Sequence, residues 1–182
     1  MSSVWLFGYG SLIWRPDFAY NRSRVAWVDG WVRRFWQGSH DHRGIPEAPG
    51  RVVTLIPALG QRCGGLAYEI DVKQAEEIFA ALDYREKNGY DRCDATLFFD
   101  TAKMESVQGI FYVANEGNHA FLGDSSIRSI AEQIQTSCGP SGSNSEYLRL
   151  LAQALRQYEI VDEHVFELER ELESLEAGSS RT

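Results

Sequence analysis

The feature that most limits the fold is a change of hydrophobic period. Up to about residue 115 the apolar residues come in short extended runs, and beyond it they recur at helical spacing. Residues 4–7 form an apolar run closed by Gly8-Tyr9-Gly10-Ser11, which reads as a buried strand entering a tight turn. Residues 25–32, rich in Val and Trp, read as a second strand with a bulge at Gly30. A loop bearing Gly38, Gly44, Pro46, Pro49 and Gly50 follows, and loops of that length in compact domains are often functional. Residues 51–56 and 65–70 read as strands flanking a turn over 57–64, and 94–99 and 107–113 as two more. One helix interrupts them: from Lys73, residues Ala75, Ile78, Phe79 and Leu82 share a face, and Gly89 supplies the stop.

Three helices are expected after the strands. Ile127, Ile130, Ala131 and Ile134 follow a cap at Asp124 or Ser125 and end at Gly139-Pro140. Ser143 and Glu146 match a capping box before Leu148, Leu151 and Leu155. The last helix places Val165, Leu168, Leu172 and Leu175 in one stripe opposite a dense carboxylate face. Strands first, helices after, with one helix inserted, argues for a mixed or antiparallel α+β fold rather than a doubly wound parallel sheet. At 182 residues and 43% hydrophobic, the chain holds one substantial core, so a single domain over residues 1–177 is expected, with a disordered tail over 178–182.

Eighteen Lys and Arg against twenty-six Asp and Glu leave a net charge of −8, which repels phosphate backbones and anionic lipid. Arg22, Arg24, Arg33 and Arg34 alternate with Trp27, Trp31, Phe35 and Trp36, but a strand with one buried face gives the same alternation, and no nucleic acid partner is expected. Cys63, Cys93 and Cys138 are odd in number and lack a CxxC pair, which indicates reduced thiols and a cytosolic setting. No run approaches the roughly 20 apolar residues that span a bilayer, so no membrane partner is expected either.

Gly8-Tyr9-Gly10-Ser11-Leu12-Ile13 begins like a dinucleotide fingerprint, yet Ile13 stands where the last Gly must lie. It also lacks the Gly-Lys-Ser/Thr of a P-loop and the frame of a nucleophile elbow. What remains is a two-glycine turn whose backbone N–H groups are open to an anion, or a plain structural turn. His40-Asp41-His42 offers two imidazoles to a metal without a third ligand at a recognisable spacing. Cys138 ends an apolar helical stretch, where a small buried Cys is common, so a thiol nucleophile is the weaker reading. Glu86 continues the stripe of Phe79 and Leu82, and a carboxyl partly desolvated there has the raised pKa that suits an acid/base. From the residues alone, a solvated helix end with Glu86 paired to Arg85, Lys87 or Arg92 is the plainer account.

The same segments resemble the ChaC family of glutathione-specific γ-glutamylcyclotransferases. The resemblance rests on residues 4–17 (VWLFGYGSLIWRPD), 34–44 (RFWQGSHDHRG), 49–55 (PGRVVTL), 82–90 (LDYREKNGY) and 130–148 (IAEQIQTSCGPSGSNSEYL). They follow the family's order across nearly the whole chain, and the DHRG segment separates this family from cyclotransferases that share mainly the YGSL turn. The resemblance implies a small mixed β-barrel surrounded by helices and a cofactor-free, metal-free enzyme acting on glutathione. It makes Gly8, Tyr9, Gly10, Ser11, Leu12 and Ile13 the substrate-binding turn, Glu86 the catalytic acid/base and Tyr147 a further pocket residue. One departure is Asn88, where the family often has Gly. A cyclotransferase for other γ-glutamyl amines, or a non-catalytic γ-glutamyl-binding module, remains as an alternative.

Overall fold

The computed structural model describes residues 3–85 and 89–179. Strands β1 (Ser3–Gly8), β2 (Arg22–Ser39), β3 (Gly50–Asp71), β4 (Tyr90–Phe98) and β5 (Ser106–Ala114) close into a barrel in the order β1-β3-β2-β4-β5. The β1–β3, β2–β4 and β4–β5 pairs are antiparallel, and β1 meets β5 in parallel at Leu6 and Ile110. The sheet is therefore mixed, one of the two arrangements the order of periods allows and the one the family resemblance implies.

The chain forms two compact units, one of residues 1–32 and 55–118 and the other of residues 33–54 and 119–182. The division falls inside β2 and inside β3. In the first unit, β1 and β5 alternate faces along the strand. Leu6, Ile70 and Tyr112 pack with Ala75, Phe79 and Leu82 of α1 (Val72–Arg85), the stripe read from the sequence. Phe79 and Leu82 are buried to 6% and 4% exposure, each contributing about 1.5–3 kcal/mol of transfer free energy. Phe7, Phe111 and Val113 fall on the alternate face and are also buried.

One expectation for the first unit needs correction. The predicted break over residues 57–64 is absent: β3 runs unbroken for 22 residues. Gly60 takes φ 77°, a left-handed angle that lets one residue bend the strand without ending it. Pro57 stands at an exposed position in that bend, where a missing ladder donor is tolerated.

In the second unit α4 (Glu163–Ser179) packs on α2 (Ile127–Thr136) and α3 (Asn144–Gln157). Val165, Leu168 and Leu172 are fully buried, as the stripe requires. Part of its acidic face pairs with neighbouring helices, through Arg128–Glu171, Arg149–Glu176 and Arg156–Glu169. The cap of α2 is Ser126, whose hydroxyl accepts the Ser129 N–H, not Asp124 or Ser125. Asp124 instead accepts its neighbour's amide, from Ser125. The cap of α3 is Ser143 as expected, accepting the Glu146 N–H, although the Glu146 carboxylate turns to Arg43. Between α2 and α3, β6 (Cys138–Gly139) and β7 (Gly142–Ser143) make a small antiparallel hairpin. Cys138 is exposed there rather than buried, because α2 ends at Thr136 before reaching it. Helix α4 takes in Gly178, where the tail was expected to begin. Among the described residues no helix is long and apolar enough to cross a membrane.

Candidate active site

The turn after β1 is built from both directions along the chain. Gly8 ends β1 opposite Leu66, and residues Ser11–Ile13 form one turn of 3-10 helix closed by the Ile13 N–H on the Gly10 carbonyl at 2.9 Å. Arg15 continues it, donating to the Ser11 carbonyl at 2.8 Å. Ile13 is buried and anchors the turn, while the Tyr68 hydroxyl donates to the Leu12 carbonyl at 2.5 Å. A Cβ on Gly8 would lie 2.7 Å from that of Leu12, and one on Gly65 would overlap the Gly8 carbonyl oxygen. Only glycines let the turn fold back this closely on its own strand. Backbone N–H groups presented at a two-glycine turn are a donor set suited to a carboxylate.

Tyr9 joins this turn to the end of α1. Its hydroxyl donates to the Tyr112 carbonyl on β5 at 2.7 Å, and the Tyr112 hydroxyl donates to Asp83 Oδ1, also at 2.7 Å. Arg92 on β4 donates from Nε to the same oxygen at 2.7 Å and from Nη2 to the other, with its guanidinium 4.8 Å from the Phe79 ring centroid. Those bonds from Arg92, then the one from Tyr112, hold the Asp83 carboxyl below the usual carboxylate range. Burial, then the bond to Asp83, pushes the Tyr112 phenol well above its ordinary value, so it stays a donor at any working pH. Arg92, a candidate partner for Glu86 on sequence grounds, is thus engaged with Asp83. Glu86 itself lies outside the described residues, as does Asn88.

Tyr147 belongs to a separate cluster in the second unit. It is buried on α3, with the Phe35 ring edge-on at 5.9 Å and the Arg43 guanidinium 5.8 Å from its centroid. Arg43, from the DHRG segment, donates to the Ser143 carbonyl at 3.1 Å and to Glu146 at 2.5 Å. His42 Nδ1 lies 3.1 Å from the Ser141 hydroxyl. Among the described residues no group of three His, Cys, Asp or Glu side chains is placed to hold a metal. Arg51 is also buried, giving hydrogen bonds to Gln133 and to the Phe35 and Gly123 carbonyls, and burial lowers its pKa. The Asn144 amide brackets its backbone, accepting from Arg51 N at 2.6 Å and donating to Arg51 O at 2.7 Å.

The structure therefore gathers Gly8 to Ile13 into one pinned turn and sets Tyr147 among Phe35 and Arg43. Sequence reasoning missed Tyr68, Asp83 and Tyr112, and named Arg92 only as one candidate partner for Glu86. Tyr112 carried a faint signal, a polar-tipped residue on the α1-facing side of β5; Asp83 carried none, lying one position off the apolar stripe.

The sequence model of one family, described as ChaC-like protein, matches residues 4–175. The chain is 42% identical over 175 residues to "Glutathione-specific gamma-glutamylcyclotransferase 1" of Danio rerio, covering 94% of this chain and 89% of that one. It is 38% identical over 187 residues to "Glutathione-specific gamma-glutamylcyclotransferase" of Schizosaccharomyces pombe, covering 93% and 92%. A crystal structure of the yeast γ-glutamyl cyclotransferase specific to glutathione superposes with a TM-score of 0.89 at 31% identity, over 96% of this chain and 97% of that one. These matches run through both units and through the pinned turn, and the chain belongs to the ChaC family.

Proposed function

We propose that the protein is a glutathione-specific γ-glutamylcyclotransferase, converting glutathione to 5-oxoproline and Cys-Gly. The observation that carries this reading is the pinned Gly8–Ile13 turn, in a chain 42% identical to a relative named for that reaction. The reaction asks for little chemistry from the protein. The nucleophile is the substrate's own α-amine, which attacks the γ-carbonyl carbon; a C–N bond forms within the new five-membered ring and the bond to the cysteine nitrogen breaks. Atoms balance without a cofactor, metal or covalent intermediate, so catalysis reduces to folding the substrate and moving protons.

In this reading the N–H groups around Gly10 to Leu12 hold the substrate α-carboxylate. Glu86 accepts the proton that the α-ammonium must lose and delivers it to the departing nitrogen. The family resemblance also makes Tyr147 a substrate-binding residue. The three free cysteines fit a reducing compartment, and glutathione in the cytosol is the substrate assigned.

The test is purified protein incubated with glutathione, with 5-oxoproline and Cys-Gly quantified beside the Glu86→Gln variant. The expected result is equimolar products from the wild type and a loss of about 100-fold or more in kcat for the variant, with its unfolding midpoint unchanged. Near-wild-type turnover by Glu86→Gln rejects the assigned role, and no 5-oxoproline from the wild type rejects the activity. Gly10→Val closes the approach to the backbone and is expected to raise KM sharply; an unchanged KM argues against the turn as the carboxylate site.

A further inference from the structure

We propose that Tyr112 and Asp83 form a positioning strut for this reaction, fixing the last turn of α1, and hence the chain leading into Glu86, against the Gly8–Ile13 turn. The inference rests on the function proposed above and adds residues that it does not use. Its geometry is a continuous chain of hydrogen bonds. The Tyr9 hydroxyl holds the Tyr112 carbonyl at 2.7 Å, and the Tyr112 hydroxyl holds Asp83 at 2.7 Å. Arg92 from β4 grips both Asp83 oxygens in a fork, and the same guanidinium lies over Phe79 of α1. Two strands of the barrel unit, β4 and β5, thus converge on one carboxylate three residues before Glu86, and Tyr9 ties the turn after β1 to the β5 residue that reaches it.

The energetics favour orientation over stability. The Arg92 and Asp83 side chains are 42% and 47% exposed, and ion pairs at that exposure contribute little to folding. A bidentate pair nevertheless sets direction, and Tyr112, 6% exposed, buries a hydroxyl that needs an acceptor. Reacting groups must lie within a few tenths of an ångström of productive geometry, so an α1 terminus free to rotate would cost turnover long before it cost the fold.

Tyr112→Phe is the sharper probe, because it deletes the hydroxyl and leaves the carbonyl that Tyr9 holds, so the turn keeps its anchor. Asp83→Asn removes the charge that Arg92 grips and serves as the second variant. For both, kcat is expected to fall about 10–100-fold with KM held within about threefold, measured on protein whose folded fraction is established by thermal unfolding. Both variants retaining kcat within twofold while Glu86→Gln is inactive overturns the strut and leaves the proposed function standing. A loss of kcat that only tracks the folded fraction, or that comes with an equal rise in KM, also overturns it. Activity in Glu86→Gln overturns the reading beneath it.

Discussion

Asp162 is the residue whose loss should damage the second unit most. Its Oδ2 accepts from Arg33 Nη1 at 2.6 Å, and the Arg33 side chain has no solvent exposure. Its Oδ1 accepts the Val165 N–H at 3.1 Å, and its carbonyl accepts the Phe166 N–H, so it also opens α4. Asp162→Ala takes from a buried guanidinium the carboxylate it donates to and strips a helix cap. Breaking a buried pair from one side costs about 3–5 kcal/mol, and losing the cap adds about 1 kcal/mol. For a chain of this length each kcal/mol lowers the melting temperature by about 2–4 °C, giving a drop of about 8–24 °C. Asp162→Asn keeps an acceptor for the cap and loses the charge, so it should recover roughly the cap's share alone. Arg33→Met together with Asp162→Asn removes both charges and should be more stable than Asp162→Asn by itself. Urea unfolding monitored by circular dichroism measures all four proteins. A cost below about 1 kcal/mol for Asp162→Ala would refute the assignment of Arg33 as a buried charge dependent on Asp162.

Other perturbations have definite outcomes. His164 accepts the Phe35 N–H through Nε2 at 3.1 Å, and burial, then Arg34, depresses its pKa from 6.5 to about 4, with Arg33, Asp162 and Asp124 the other charges acting on it. A histidine depressed on folding binds fewer protons folded than unfolded, so its contribution is whole above pH 6.5 and is lost as pH falls towards about 4, a span of about 3 kcal/mol that His164→Gln should flatten. Gly65→Ala drives a methyl into the Gly8 carbonyl and should destabilise by about 1–3 kcal/mol with a raised KM, read by unfolding and steady-state kinetics. Cys138→Ser, at an exposed free thiol, should leave kcat and KM within twofold in the 5-oxoproline assay.

Much of the fold was legible because it depends on period. The stripe Ala75, Ile78, Phe79, Leu82 and the stripe Val165, Leu168, Leu172, Leu175 are local repeats, and all but the half-buried Ile78 and Leu175 are buried as read. The Ser143 cap is local as well. The unbroken β3 was not legible, since Pro57 to Gly64 carries turn chemistry and the strand's place in the closed barrel, between β1 and β2, overrides that local preference. The cap of α2 was misplaced by one or two residues because Asp124, Ser125 and Ser126 are all capable caps, and the hydroxyl that reaches Ser129 decides among them. Arg33 sits in an alternation that also suits a solvated strand edge, and its burial follows from Asp162, 129 positions away. In the candidate site the turn was visible in Gly8 and Gly10, whereas Tyr112 and Asp83 meet only after the barrel closes.

The most direct measurement follows where the oxygen and nitrogen atoms go. Purified protein turning over glutathione in heavy-oxygen water should release 5-oxoproline free of solvent oxygen, one for each Cys-Gly, because the substrate's own amine closes the ring. Free glutamate carrying solvent oxygen in its γ-carboxylate would mean that water attacks instead, and would contradict intramolecular cyclisation.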